Sequence, residues 1–342
     1  MYLENEFCHF EAAVQYSSER FQRNFLMKVE DFTAFREANK QHGLFTTAYR
    51  YNQENIREAD MIGNLYLDFD VSDIDRNFYH IKTDAIRTLS ALKSIFGISP
   101  ESIEIFFSGS KGIHFVIPMQ VLGVQPHPEL NMVFKGIAED MNKLTAHQTI
   151  DTGIYDKVRL FRVPNSLHPS TGLYKVPLTL DELRTLSLED IKEIASQPRP
   201  RVKVNTAYST QANRMYQDYV KQWEKEMVRI EANRKKSSAV RMNFMPPCIQ
   251  HILSEGALDG KRNNTASVLA SYFLQRGVSK EEALDRVLEW NNLCVPPSNE
   301  SELAKTVRSI FRAEHRYGCR ALKELSICSS SCRLYKEDDR RK

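Results

Sequence analysis

The sequence predicts an α+β region followed by an all-α region that holds most of the cysteines. Three observations carry this. Residues 63–70, GNLYLDFD, alternate apolar and other side chains, as a half-buried strand does. Ile81, Ala85, Ile86, Leu89, Leu92 and Ile95 stand at helical spacing, and Gly97 follows as a C-cap. From Met245 onward no strand pattern appears, and five of the six cysteines lie beyond residue 247. At 342 residues the chain has room for two or three domains. The expected boundaries are 1–196 for the α+β part, 197–243 for a basic linker or helix, and 244–342 for the helical part.

Within the first part, residues 1–60 show no clear periodicity beyond a helix around 29–39. Residues 102–107 and 113–117 read as strands joined by the turn SGSKG. Residues 130–144 read as a helix and 158–163 as a short strand. Residues 197–241 hold 11 Lys and Arg against 4 Asp and Glu, opening on PRPR and closing near RKKSS. Such a helix is either a solvated face or a nucleic-acid contact. Beyond it, 253–256, 264–274, 280–290 and 302–316 read as helices. Gly277 ends one of them, and Ser279 with Glu282 three residues on starts the next.

Composition excludes several classes. Charged residues at 27% and apolar residues at 42% are ordinary for a globular chain. A net charge of +3 is too weak by itself to imply nucleic-acid binding. The longest uncharged stretch, 112–128, is broken by Pro118, Pro126 and Pro128, so no membrane span is expected. The opening MYLENEFCHF is acidic and lacks a charged-then-apolar leader, which predicts a cytoplasmic protein.

Three segments carry candidate chemistry. Asp68 and Asp70 are two apart, so on a strand they share a face. Adjacent carboxylates repel unless a cation sits between them, and Mg²⁺ or Mn²⁺ suits oxygen donors. D-x-D alone equally fits two aspartates capping a turn. Ser108, Gly109, Ser110, Lys111 and Gly112 form a turn able to present N–H groups and one ammonium to an anion, with His114 next along the strand. A plain hairpin turn reads the same way. The third segment offers Asp151, then Arg159 and Arg162, then His168 in the turn SLHPSTG. The arginines are three apart, which implies a bulge or irregular stretch.

Taken together, DFD, SGSKGIH, and ID followed by RLFRVPNSLHPSTG resemble the three ordered motifs of the small catalytic subunit in the archaeo-eukaryotic primase superfamily. The resemblance spans roughly residues 45–180 and implies a primase-polymerase domain with an RRM-like core. It implies metal-dependent nucleotidyl transfer, with Asp68, Asp70 and Asp151 holding Mg²⁺ or Mn²⁺. Ser108, Lys111, His114, Arg162 and His168 would bind the nucleoside triphosphate, and Arg50 in Tyr49-Arg50-Tyr51 resembles an arginine of the same pocket. Ser110 stands where eukaryotic small subunits have arginine, and no cysteine lies between Cys8 and Cys248 to build a zinc module beside the core.

Cys248, Cys319, Cys328 and Cys332 lack paired knuckle spacing, with 70, eight and three residues between them. Four such thiolates suit an iron–sulfur cluster or a structural zinc. PPCI, GKRNNT, FLQRGVSKEEAL, Trp290 and the trailing cysteines resemble the iron–sulfur domain of the primase large subunit over about residues 244–333. That resemblance implies a [4Fe–4S] cluster on the four cysteines, with zinc as the alternative, and leaves Cys294 as a buried thiol. Lys261 and Arg262 are the candidates for gripping an initiating nucleotide or the template.

The expected whole is a DNA primase or primase-polymerase that makes primers de novo on single-stranded DNA from nucleoside triphosphates. Its partners would include a replicative helicase, and its place would be the nucleoid. The alternatives are a primer-extending repair or bypass polymerase of the same superfamily, or an inactive module that binds single strands.

Overall fold

The computed structural model describes residues 6–238, 244–258, 260–330, 332, 334 and 335. The side chains of 231 and 233–238 fall outside that description, and with them Arg234, Lys235 and Lys236 of the basic stretch. The chain divides into two compact units, residues 1–227 and 228–342. The division falls within the expected linker segment, inside a helix.

The first unit begins with β1 (His9–Gln15) and β2 (Phe21–Lys28), then α1 (Phe32–Ala38). Next come β3 (Gly43–Thr47), β4 (Tyr49–Tyr51), β5 (Met61–Gly63), β6 (Leu65–Asp70) and α2 (Ile74–Phe96). They are followed by β7 (Glu104–Phe107), β8 (Gly112–Ile117), α3 (Met119–Leu122), α4 (Leu130–Leu144), β9 (Leu160–Arg162) and β10 (Val176–Leu178). The short helices α5 (Leu180–Thr185) and α6 (Leu188–Ile194) precede the long α7 (Thr210–Ser238). Two antiparallel sheets result. One runs β5-β4-β1-β3-β9 with β2 paired to β1, and the other runs β10-β7-β8-β6.

The second sheet positions the site. In β6, Leu65, Leu67 and Phe69 are buried while Tyr66, Asp68 and Asp70 face the other way and stay partly open. The buried set packs in one core with Ile81, Ala85, Leu89 and Leu92 of α2 and with Val133, Phe134 and Ile137 of α4. Each such side chain contributes roughly 1.5–3 kcal/mol by leaving water, so the face on which the aspartates stand is fixed by burial on the opposite face. Helix α2 starts at Asp73, whose side chain accepts from Arg76 N, and ends at Gly97 in the left-handed region. It is two turns longer at its start than the apolar spacing suggests. The four strands β1 to β4, which the sequence does not announce, form most of the first sheet.

The basic stretch is only partly a solvated helix. Ala212 and Tyr216 of α7 are buried in the core of the first unit, and Tyr219, Val220 and Trp223 pack against it.

In the second unit, α8 (Pro247–Glu255), α9 (Arg262–Arg276), α10 (Lys280–Asn291), α11 (Glu300–Arg312) and α12 (Cys319–Glu324) are all helical. Ile252, Leu269, Phe273, Val287, Trp290, Leu303 and Val307 form their core. The Trp290 indole N–H is satisfied by Ile252 O at 2.9 Å. Ser279 caps α10 by accepting from Glu282 N at 3.1 Å, as its spacing predicts. Among the described residues no helix is long and apolar enough to cross a membrane.

Candidate active site

Strand pairing brings the first two motifs together. Asp68 pairs with His114 and Asp70 with Gly112 across β6 and β8. The His114 Nε2 lies 3.3 Å from Asp68 Oδ1, and Lys111 Nζ lies 3.0 Å from Asp70 Oδ2. The turn that carries Lys111 is tied off by Ser108, whose Oγ accepts from Ser110 N at 3.3 Å and Gly112 N at 3.1 Å. Two glycines are required here. Gly109 has φ +83°, and a Cβ on Gly112 would stand 2.6 Å from the Phe69 carbonyl oxygen.

The third motif docks onto the edge of β6. Asp151 N donates to Asp68 O at 2.8 Å, and Asp70 N donates to Thr149 O at 2.9 Å. The Asp151 carboxylate accepts from Gly153 N at 2.7 Å. Arg162 belongs to β9, which starts at Leu160, so no bulge is needed. Arg159 precedes the strand and holds the turn before it, donating to Ile154 O and Gly153 O. Arg162 is buried, stacks over the Phe45 ring at 4.5 Å, and donates to Leu167 O and Gln15 Oε1. Thr171 donates to Gly109 O at 2.6 Å, which ties the SLHPSTG turn to the SGSKG turn.

Asp68, Asp70, Ser108, Ser110, Lys111, Gly112, His114, Arg159, Arg162 and His168 thus line one cavity of about 210 Å³. Arg50 does not reach it. It lines a neighbouring cavity of about 690 Å³ that shares Phe161 and Arg162 with the first. Lys175, which no sequence motif marks, lines the larger cavity. It is fully buried, with Nζ over the rings of Phe106 at 5.0 Å and Phe161 at 5.9 Å.

The electrostatics of the site are set by burial and by crowded charge. Burial, then Asp70 and Asp151, push the Asp68 carboxyl up to about 7. Burial holds the His114 imidazole well below its ordinary value, with Lys175 and Arg162 adding to this, and its Nδ1 has no partner. His168 is lowered to about 4 by burial and Arg162, and its Nδ1 is likewise unpaired. Burial lowers Lys175 to about 7 against the pull of Asp68 and Glu104. Three mutually repelling carboxylates and two orphaned ring nitrogens form a donor set that fits a hard divalent ion beside a polyphosphate. As they stand, the carboxylates are turned to Lys111 and Gly153. Among the described residues no three His, Cys, Asp or Glu side chains converge to hold a metal.

The same finding bears on the cysteines. Burial and then Cys319 raise the Cys328 thiol, and Cys248 is raised by burial and then by Cys328 and Cys332, so the four stand near one another. They do not converge as ligands, and the Cys319 thiol is turned to Leu334 O at 3.5 Å. The expected iron–sulfur cluster therefore finds no support, and neither does zinc. Cys294 is buried, as expected. Lys261 precedes α9, and Arg262 donates to the carbonyls of Pro296 and Pro297, so its guanidinium is used in the local fold.

Comparison with known proteins gives a match on the second unit. Residues 251–316 match the family Primase C terminal 1 (PriCT-1). The match ends before Cys319, and it does not show the large-subunit iron–sulfur domain that the sequence resembles. No curated protein matches the chain. Among solved structures, primase RepB′ is similar with a TM-score of 0.37 and 12% identity, over 96% of this chain and 97% of that one. The AEP domain of the cyanophage S-2L primase-polymerase gives 0.33 and 12%, over 51% and 81%. The polymerase domain of Mycobacterium tuberculosis ligase D in complex with DNA gives 0.37 and 13%, over 56% and 82%.

Proposed function

We propose that the chain is a template-directed nucleotidyltransferase that starts primers on single-stranded DNA. The observation that carries this reading is the small cavity, where Asp68 and Asp70 face Ser108, Lys111, His114, Arg162 and His168. The PriCT-1 match over residues 251–316 supports the priming part. Chain growth needs a 3′-hydroxyl to attack the α-phosphorus of a nucleoside triphosphate. One P–O bond forms, the bond to pyrophosphate breaks, and the hydroxyl proton passes to water.

Asp68, Asp70 and Asp151 would hold Mg²⁺ or Mn²⁺, which supplies charge neutralisation at the attacking and leaving oxygens. The side chains position and neutralise more than they react. Lys111 and Arg162 supply fixed positive charge to the triphosphate. His114 and His168, held neutral, offer N–H groups to phosphate oxygens. The larger cavity, with Arg50, Lys175 and the stacked pair Tyr66 and Phe161 at 4.3 Å, is wide enough for the nucleoside and the template base opposite it. Lys261 and Arg262 of the second unit remain candidates for the initiating nucleotide.

The test is incubation of the whole chain with labelled nucleoside triphosphates and Mg²⁺ or Mn²⁺ on two templates, one unprimed and one with an annealed primer. Products on both support the proposal. Product on the primed template alone makes the chain an extending polymerase. A variant carrying Asp68→Asn and Asp70→Asn that still incorporates nucleotide rejects the site.

A further inference from the structure

Among the described residues of the first unit, Asp84 is the one carboxylate whose burial is complete and whose partners are neither cations nor solvent. It lies in the middle of α2, outside both cavities, with no exposed surface. Its Oδ1 accepts from Ala146 N at 2.9 Å and His147 N at 3.1 Å. Its Oδ2 accepts from Thr149 N and Thr149 Oγ1, both at 3.0 Å. Four donors of one short loop therefore converge on one side chain of a rigid helix.

That loop leads directly to the third carboxylate. Thr149 O accepts from Asp70 N, Ile150 bridges Phe69, and Asp151 N donates to Asp68 O. Asn142 of α4 adds a bond from Ile150 N to its Oδ1 at 3.1 Å. Residues 149–151 belong to no strand of their own, so their seat against β6 depends on what holds the loop behind them. Gln148 sits there at φ +55°, a conformation costly for a non-glycine residue and kept only where neighbours over-determine it. His147 also stacks on His80 of α2 with ring centroids 4.0 Å apart.

We infer that Asp84 is the positioning residue for Asp151: it clamps the 146–149 loop to α2 and thereby sets the third carboxylate beside Asp68 and Asp70. This rests on the proposed reading of those three as metal holders. Burial by itself would raise the Asp84 carboxyl, but the backbone N–H groups of Thr149, His147 and Ala146 outweigh it and keep the group ionised. An uncharged amide at this position would turn a donor toward backbone donors and release the loop.

The experiment compares Asp84→Asn with Leu92→Ala in the full-length chain. Leu92 is equally buried in α2 but stands outside the Asp84 bonds, so its truncation lowers stability without loosening the loop. Mn²⁺ binding is titrated by calorimetry without nucleotide, and thermal midpoints are recorded alongside. Asp84→Asn should weaken Mn²⁺ binding about tenfold or more, the usual cost of losing a group that orients a ligand. Leu92→Ala should lower the midpoint at least as far and leave Mn²⁺ binding alone. If Asp84→Asn does not fold, Thr149→Val removes a single donor and should weaken Mn²⁺ binding less but in the same direction. Unchanged Mn²⁺ affinity in the folded variant, or equal weakening in Leu92→Ala, would overturn the inference. Nucleotide incorporation is measured in parallel. Its absence from the unmodified chain, with the Mn²⁺ pattern intact, would remove the proposed activity and leave the role of Asp84 standing.

Discussion

At the residue scale, the cavity stores unfavourable electrostatics. The Asp68 carboxyl stands near 7 in the folded chain, against about 3.9 when unfolded. The folded state therefore holds the proton more tightly, and stability is lost as pH rises through this range. Asp68→Asn should thus unfold at a higher temperature than the unmodified chain at pH 8 without metal, while losing synthesis. The advantage should shrink by pH 5, and a lower midpoint at pH 8 would contradict the account. The histidines work with the opposite sign. His114 and His168 are lowered, so their contribution is intact above about 6.5 and is lost as pH falls below it. His168→Asn should flatten the fall in thermal midpoint between pH 6.5 and 5, and an unaltered slope would show that another group titrates there. Such costs at a site are common where charge must be ready for a ligand.

At the element scale, the close pass of β8 over β6 is the most sensitive point. A Cβ on Gly112 would meet a backbone oxygen, which no rotamer change relieves. Gly112→Ala should cost about 1–3 kcal/mol by urea unfolding and lower nucleotide binding through the shifted His114. Ser279→Ala, which removes only a cap on α10, should cost about 1 kcal/mol and leave binding unchanged. The same elements show what the sequence makes legible. Strand β6 and helix α4 bury one side only, so their period is visible. Strand β1 is buried on both faces and β2 is open on nearly all of its length, so neither alternates and both are missed. The first two turns of α2 bury only Ile74 and carry no stripe. Motif residues are legible because phosphate and metal chemistry demand certain types at set spacings. Lys175 and Asp84 are not, because their environment is made by distant segments: Phe106 and Phe161 for one, the 146–149 loop for the other.

At the scale of the whole molecule, the two units share no core, and this makes function divisible. The core of the first unit closes on Ala212 and Tyr216, and Trp223 is the last side chain packed against it, so it is complete before residue 228. All residues lining both cavities precede residue 207. The PriCT-1 match and the four clustered cysteines lie wholly in the other unit. Starting a chain is entropically harder than extending one, because two free nucleotides must be held at once where extension holds one. A tethered second unit raises the effective concentration of whatever it grips without any new contact in the first. A fragment of residues 1–227 should therefore fold, bind nucleotide with Mn²⁺ and extend an annealed primer at a rate close to that of the whole chain. It should lose most synthesis on the unprimed template. Metal analysis of the same two proteins decides the cysteines: iron or zinc present in the whole chain and missing from the fragment would restore a metal role for them, and metal-free protein in both would leave them as thiols. Equal loss of primed and unprimed synthesis in a folded fragment would mean that the second unit only supports the first, and initiation would then have to be built into the cavities alone.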